Sequence, residues 1–192
     1  MALELVVPDE THLPGYVAAL RRRWSPNTMR PEAADEELAR VEADPTAFLA
    51  ALDDREGTQL PPVVLPDGTT RPRIPGLRRW LWDGEFCGSI NARWQPGTVE
   101  LPPHVLGHVG YTVVPWKRRR GYASRALGLL LEELAFLDLP YVELTTTPDN
   151  VGSQRVIEVN GGVMIEEFEQ GQEHGGGRGL RYRIALAQAP IE

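Results

Sequence analysis

The chain has 192 residues, of which 42% are hydrophobic, and it carries a formal net charge of −7. The length and apolar fraction predict one domain over residues 1–192, while the acidic balance argues against nucleic-acid binding, which favours a basic surface. Because there is no apolar run of the roughly 18 to 20 residues that span a bilayer, no signal-peptide pattern and a single cysteine, we expect a cytoplasmic protein without membrane partners, disulfides or cysteine-based metal sites.

The first half of the chain predicts a strand, two helical regions, a long proline-rich loop and a hairpin. In chain order these are residues 2–7, 11–23, 31–52, 53–78, and 79–83 with 87–94. Pro45 either interrupts the second helical region or begins a new segment. The hairpin is the clearest in the chain, because Asp83-Gly84-Glu85 supplies a turn between two apolar runs.

The second half predicts a loop, a long strand, a Leu-rich helix, a further strand, a short helix and a last hairpin. These are residues 95–103, 109–115, 124–137, 141–147, 151–159, and 163–168 with 180–186. Asn160-Gly161-Gly162 ends the short helix. The glycine-rich segment 171–179 predicts a mobile tip in the last hairpin.

A basic turn, Lys117–Ser124, stands between the long strand and the Leu-rich helix. A turn that opens a helix offers unpaired backbone N–H groups and the positive end of the helix dipole. Such a place suits phosphate, arginines add charge for a pyrophosphate, and Gly121 lets a ligand approach the backbone. We interpret this turn as a nucleotide-type cofactor site, with a solvated basic turn as the alternative. A P-loop is excluded, since no Gly-x4-Gly-Lys-Ser/Thr motif is present.

Two motifs in this order of elements resemble the GNAT superfamily of acetyl-coenzyme A-dependent N-acetyltransferases. Arg118–Ala123 matches the family's Arg/Gln-x-x-Gly-x-Gly/Ala turn after the fourth strand. Asn150 follows the fifth strand and opens the helix that ends at Gly162. The match is strong over residues 104–165 and topological over 1–103. It implies an α+β fold with a mostly antiparallel twisted sheet of about six to seven strands, splayed at strands four and five and flanked by about four helices.

The same resemblance implies where acetyl-coenzyme A is held. The backbone of Val113 and Val114 would pair with the pantetheine arm, Asn150 would contact that arm, and Ser153 would lie along it. The pyrophosphate would be held by the amides and side chains of Arg118, Arg119, Arg120, Gly121, Tyr122, Ala123 and Ser124. No spacing of His, Asp or Glu indicates a metal.

The family's mechanism is direct attack of a neutral amine on the thioester in a ternary complex, with a backbone N–H near Val113 polarising the carbonyl. A base and an acid would move the protons. The position where many relatives carry a tyrosine acid is Ile157 here, and no strand base is evident. Candidates for acid and base are Tyr111, His108, Glu143 and Thr145, and the expected catalytic set is Tyr111, Val113, Asn150 and His108.

The expected function is acetylation of a primary amine, on a small molecule or on a peptide or protein. Transfer of another acyl group on the same scaffold is one alternative. A non-catalytic acyl-coenzyme A sensor is another, motivated by Ile157 and the unclear base. The acceptor stays open, and a homodimer is possible, because partner elements commonly complete sites in this superfamily.

Overall fold

The computed structural model describes residues 2–64, 68–171 and 174–186. Its helices are α1 (Leu13–Arg21), α2 (Ala33–Ala43), α3 (Pro45–Ala50), α4 (Tyr122–Glu133) and α5 (Val151–Glu158). Its strands are β1 (Glu4–Val6), β2 (Asp53–Asp54), β3 (Val63–Val64), β4 (Thr70–Arg71), β5 (Gly76–Trp82), β6 (Phe86–Arg93), β7 (Val109–Val113), β8 (Tyr141–Thr146), β9 (Val163–Glu169) and β10 (Arg178–Ala185). Short 3-10 turns occupy Pro115–Lys117 and Leu134–Leu137.

The predicted strands, helices and hairpins are present, with ends that differ by a few residues. The proline-rich loop over 53–78 contains the three short strands β2, β3 and β4, and its residues 65–67 lie outside the described part. Residues 172 and 173 of the predicted mobile tip lie outside it as well.

Pro45 begins a new helix, which decides between the two interpretations of this residue. It is the first residue of α3, where its missing N–H and fixed φ are no cost. Asp44 caps that helix, because its Oδ1 accepts a hydrogen bond from Ala47 N at 2.9 Å. The backbone of Asp44 is extended, so α2 ends and the chain turns there.

The strands form two main sheets that separate between β7 and β8. The first has the order β1-β5-β6-β7, with β2 also paired to β5, and the second has the order β8-β10-β9. All these pairs are antiparallel. Within the described residues β7 and β8 share no ladder, and they touch where His108 N donates to Glu143 O at 2.7 Å. The predicted fourth and fifth strands of the family's sheet correspond to β7 and β8. The predicted splay between them is therefore confirmed.

Helices cover the first sheet on both faces. Alternation along β5 sends Trp80 into a core with the helices α1, α2 and α3, while Leu81 enters the core beneath α4 and α5. Both residues are 0% exposed. Each buried side chain of this size stabilises the fold by about 1.5–3 kcal/mol. The two cores hold β7 between them, which fixes the strand that borders the gap.

A buried ionic cluster joins α1 and α2 to β5. Arg78 Nη1 donates to both carboxylate oxygens of Glu37, at 3.0 and 2.9 Å, and to the hydroxyl of Tyr16 at 3.2 Å. The Tyr16 hydroxyl also contacts Glu37. Burial raises the pKa of Tyr16 well above its usual value, so the phenol stays neutral. The charge of Arg78 is thus fully matched inside the fold.

Candidate active site

The backbone of the basic turn leaves the first N–H groups of α4 open. Arg119 and Gly121 both have left-handed φ values, 62° and 76°, which bend the chain into the helix. The first helical hydrogen bond runs from Arg125 N to Gly121 O at 3.1 Å, and no side chain caps the helix. The N–H groups of the first helical turn therefore lack an intrahelical acceptor and point out of the helix N-terminus.

The charged side chains of the turn surround this open helix end. Arg118, Arg119, Arg120 and Gly121 are exposed, and Arg118 Nε donates to Val113 O at 3.2 Å, which places its guanidinium beside the end of β7. A Cβ at Gly121 would meet nothing within 4 Å, so there is room in front of the helix. Open N–H groups, the helix dipole and guanidinium groups together fit a phosphate group.

Asp83, in the β5–β6 turn, holds the basic turn in place. It accepts hydrogen bonds from Lys117 Nζ at 2.6 Å and from the Tyr122 hydroxyl at 2.6 Å. Burial acts to raise the pKa of Asp83, but the bonds from Lys117 and Tyr122 outweigh it and hold that pKa well below its usual range. Sequence reasoning missed this contact. Its signal was the single lysine of the chain beside an acidic hairpin turn.

Asp83→Asn is expected to lower the free energy of unfolding by about 2 kcal/mol, because it leaves the nearly buried Lys117 ammonium with a neutral partner. The loosened turn should also raise the Kd for coenzyme A about tenfold, which calorimetric titration would measure. Glu85→Gln is the matched control. Glu85 pairs with the same ammonium at 3.0 Å, but its side chain is 78% exposed, so a loss below about 0.5 kcal/mol is expected. Equal losses in both variants would contradict this role of Asp83.

The main chain of β7 presents one free edge to the gap. Val114 N donates to Cys87 O at 2.9 Å, and Val114 O accepts from Lys117 N at 3.0 Å. Since backbone groups alternate between the two sides of an antiparallel strand, Tyr111 and Val113 direct their N–H and C=O groups away from β6. Of the two valines predicted to meet the pantetheine, Val113 offers its N–H, while its C=O accepts from Arg118 Nε. Both main-chain groups of Val114 are in use.

Tyr111 reaches across the gap to the start of α5. Its hydroxyl lies 2.8 Å from Ser153 Oγ and 3.3 Å from Ser153 O. Burial raises the pKa of Tyr111 to about 12, so the phenol is protonated at neutral pH. Asn150 caps α5 through its Oδ1, which accepts from Ser153 N at 3.1 Å. Ile157 is 0% exposed in the core, so this position of α5 supplies no hydroxyl.

His108 and Glu143 lie at the closed end of the gap. His108 is 2% exposed, and its Nδ1 accepts a hydrogen bond from Glu143 N at 3.0 Å. Burial lowers the pKa of His108, so the ring is neutral. The Glu143 carboxylate accepts from Arg181 at 3.0 Å and from Arg183 at 2.8 Å. The bond from Glu143 N to His108 joins β8 to the start of β7, and the two arginine contacts join β8 to β10. Thr145 lies further along β8 and is half-buried.

Other chemistry finds little support in the described residues. Cys87 is buried, and burial raises the pKa of its thiol to about 12, which keeps it unreactive. No cluster of three or more His, Cys, Asp or Glu side chains in the described ranges could hold a metal ion. Across those same ranges, every helix is too short or too polar to cross a membrane.

Solved structures of acetyltransferases share this fold. RimL, a ribosomal-protein alpha-N-acetyltransferase in complex with coenzyme A, aligns with a TM-score of 0.62 at 14% identity, over 97% of this chain and 95% of that one. A chimera of the spermidine N-acetyltransferase SpeG from Vibrio cholerae aligns with a TM-score of 0.59 at 12% identity, over 97% and 96%. The protein yncA from Salmonella typhimurium, with its cofactor acetyl-CoA, aligns with a TM-score of 0.54 at 13% identity, over 100% and 98%.

At the level of sequence, no curated protein matches the chain. The sequence profile of the acetyltransferase (GNAT) domain matches residues 3–163, which include the gap between β7 and β8, the basic turn and all of α5. This match and the splayed sheet agree with the resemblance of the two motifs. The chain belongs to the GNAT family of acetyltransferases, enzymes that use acetyl-coenzyme A as the acetyl donor.

Proposed function

We propose that the protein transfers the acetyl group of acetyl-coenzyme A to a primary amine of a small molecule or a peptide. The observation that carries the proposal is the uncapped N-terminus of α4 beside Arg118–Arg120, at the end of a strand whose free edge faces a gap. Phosphate at the helix end and an extended arm beside Val113 would both find main-chain donors there. Asn150 and Ser153 would line the opposite side of the arm.

The chain's residues would then act on a bound thioester, which is the chemistry that acetyl-coenzyme A supplies. The N–H groups at the free edge of β7, at Tyr111 or Val113, would stabilise negative charge on the carbonyl oxygen. The amine nitrogen bonds to the acetyl carbon, the carbon–sulfur bond breaks, and the amine gives one proton to water. The sulfur leaves with the bonding electron pair and takes a proton to become the free thiol.

Tyr111 is the proposed source of that last proton. Its hydroxyl is protonated at neutral pH and lies 2.8 Å from Ser153 Oγ at the start of α5. His108 fits this step less well, since it is buried and its Nδ1 is occupied by Glu143 N. Tyr111 would thus act as the acid in place of the tyrosine that many relatives carry at the position of Ile157.

The test is a thiol-release assay with acetyl-coenzyme A across a library of primary amines. We expect turnover by the wild type, and a fall in kcat of about 10²-fold or more in Tyr111→Phe. The Kd for coenzyme A should change little in that variant, because the phenol is asked to act on the leaving sulfur. An unchanged kcat would exclude Tyr111 as the acid.

Two other functions are separated by the same assay. A series of longer acyl donors distinguishes transfer of another acyl group, which would give a higher kcat/KM than acetyl. The sensor hypothesis, which Ile157 and the unclear base motivated, predicts tight coenzyme A binding without thiol release from any amine. Turnover with one amine is sufficient to reject it.

A further inference from the structure

Arg93 is a partly buried arginine that has no counter-charge among the described residues. It is the last residue of β6, and its main chain is held by a bond from its N to His108 O at 2.9 Å. Its Nε is enclosed and has no hydrogen-bond partner. Across residues 2–64, 68–171 and 174–186, no carboxylate pairs with its guanidinium. Burial lowers the pKa of Arg93, and no acidic group offsets that effect.

Other enclosed arginines of the first sheet carry their counter-charges with them. Arg78 is bound by Glu37, and Arg79 Nη2 lies 2.5 Å from Glu133 and 3.0 Å from Asp53. A partly buried cation without a counter-charge loses hydration and gains no ion pair in return. The missing counter-charge of Arg93 therefore indicates an anionic group that a ligand supplies.

A second polar side chain lies beside Arg93 on the sheet. Asn91 lies between Arg78 and Gly110 in the sheet register, so these residues share one face with Arg93. A Cβ at Gly110 would lie 3.2 Å from Asn91 Oδ1 and 3.5 Å from Arg93 Nη2. The Asn91 amide and the Arg93 guanidinium therefore lie side by side over Gly110, which has no side chain of its own.

This place lies where an acceptor would sit if the proposed function holds. The basic turn follows the C-terminal end of β7, so a donor that runs back along the strand brings its reactive end towards the N-terminal half. Gly110 is about 10 Å from Val113 at the strand rise of roughly 3.3 Å per residue. An acceptor group bound by Arg93 would therefore be separated by several bonds from an amine that reacts at the free edge of β7.

We infer that Arg93, with Asn91, binds a carboxylate of the amine acceptor, so that the substrates are amino acids or peptides with an acidic group near the amine. The guanidinium offers a planar set of donors that matches a carboxylate, and the Asn91 amide adds another donor. This inference rests on the proposed function. The bound carboxylate would give Arg93 an ion pair like the one that Arg78 makes with Glu37.

The specificity test compares acceptors of one chain length: aminohexanoate, hexylamine and hexanediamine, with the shorter amino acids glycine and β-alanine as a length series. In the wild type, kcat/KM for the best amino acid is expected to exceed that of the neutral or dicationic amines at least about tenfold. In Arg93→Gln this ratio should collapse towards one. Arg21→Gln, at the exposed end of α1, is the control that keeps the ratio. Preference for hexanediamine, or an unchanged ratio in Arg93→Gln, would overturn the inference.

A second measurement does not need turnover. The Nε–H signal of Arg93 in proton–nitrogen correlation spectra can be identified by its loss in Arg93→Gln. With coenzyme A present, aminohexanoate should shift this signal and hexylamine should not, and the absence of a shift would refute carboxylate binding. If no amine is turned over, the proposed function fails while this titration still decides the inference.

The proposed role of Arg93 also predicts an unusual effect on thermal stability. Arg93→Met removes an unmatched charge and keeps an unbranched apolar stem, so Tm should stay the same or rise. A fall in Tm of more than about 3 °C would show that Arg93 has a structural partner, and would contradict the proposal.

Discussion

Replacing Gly121 with aspartate is expected to weaken coenzyme A binding by at least about 10²-fold. The new carboxylate would stand at the N-terminus of α4, where it can accept from the open N–H groups and repel a phosphate. Each charge-assisted hydrogen bond lost there is worth about 1.5–3 kcal/mol, and about 1.4 kcal/mol changes Kd tenfold. Calorimetric titration of coenzyme A into the folded variant measures the effect.

Gly161→Asp is the matched control for this change. Gly161 has a φ of 83°, close to the 76° of Gly121, and a Cβ at either position would meet nothing within 4 Å. Both variants therefore carry the same backbone strain and the same added charge. Gly121 lies at the N-terminus of α4, however, whereas Gly161 lies after the C-terminus of α5. Its Kd should equal that of the wild type. If Gly121→Asp keeps wild-type affinity, the basic turn is a solvated turn and not a phosphate site.

Gly88→Ala is expected to cause the largest loss of stability in the chain, about 3 kcal/mol or more. Gly88 has a φ of 150°, and a Cβ there would overlap the main-chain oxygen of Thr112 and lie 2.9 Å from Val113 Cα. Backbone strain and forced overpacking each cost about 1–3 kcal/mol. In thermal unfolding, this should lower Tm by about 10 °C. The shifted β7 edge should also weaken coenzyme A binding in the fraction that folds.

Gly97→Ala separates the clash from the strain. Gly97 has a φ of 77°, but a Cβ there would meet nothing within 4 Å. The substitution should cost about 1–2 kcal/mol, the penalty for a left-handed residue with a Cβ. If Gly88→Ala lowers the free energy of unfolding no more than Gly97→Ala does, then β6 and β7 do not approach each other closely at Gly88 and Val113.

Much of the local structure around the basic turn could be predicted from sequence because its signals are local. Gly121, the arginines before it and the apolar patterns on either side all lie within a few residues, and together they predict a strand, a turn and a helix N-terminus. The cap at Asn150 is local in the same way. For these elements the structure supplied precise ends and the hydrogen bonds.

The remainder of the site depends on contacts that no local pattern encodes. Asp83 meets Lys117 across 34 residues of sequence, and alternation alone does not say which edge of β7 stays free. Whether an arginine is matched depends on the partner that tertiary structure brings to it. Arg78 and Arg93 are both strand arginines in the sequence, and only the folded chain distinguishes them.

The ion pair of Lys117 with Asp83 has a consequence for a protein that binds a reactive thioester. Lys117 is the single lysine of the chain, it is 8% exposed, and its pKa is raised by Asp83 and Glu85 against the effect of burial. Thioesters acylate neutral, accessible amines, and this ammonium is neither. The enzyme therefore presents its acetyl donor with no side-chain amine of its own to modify, and it is protected from self-acetylation at the turn that would bind the donor.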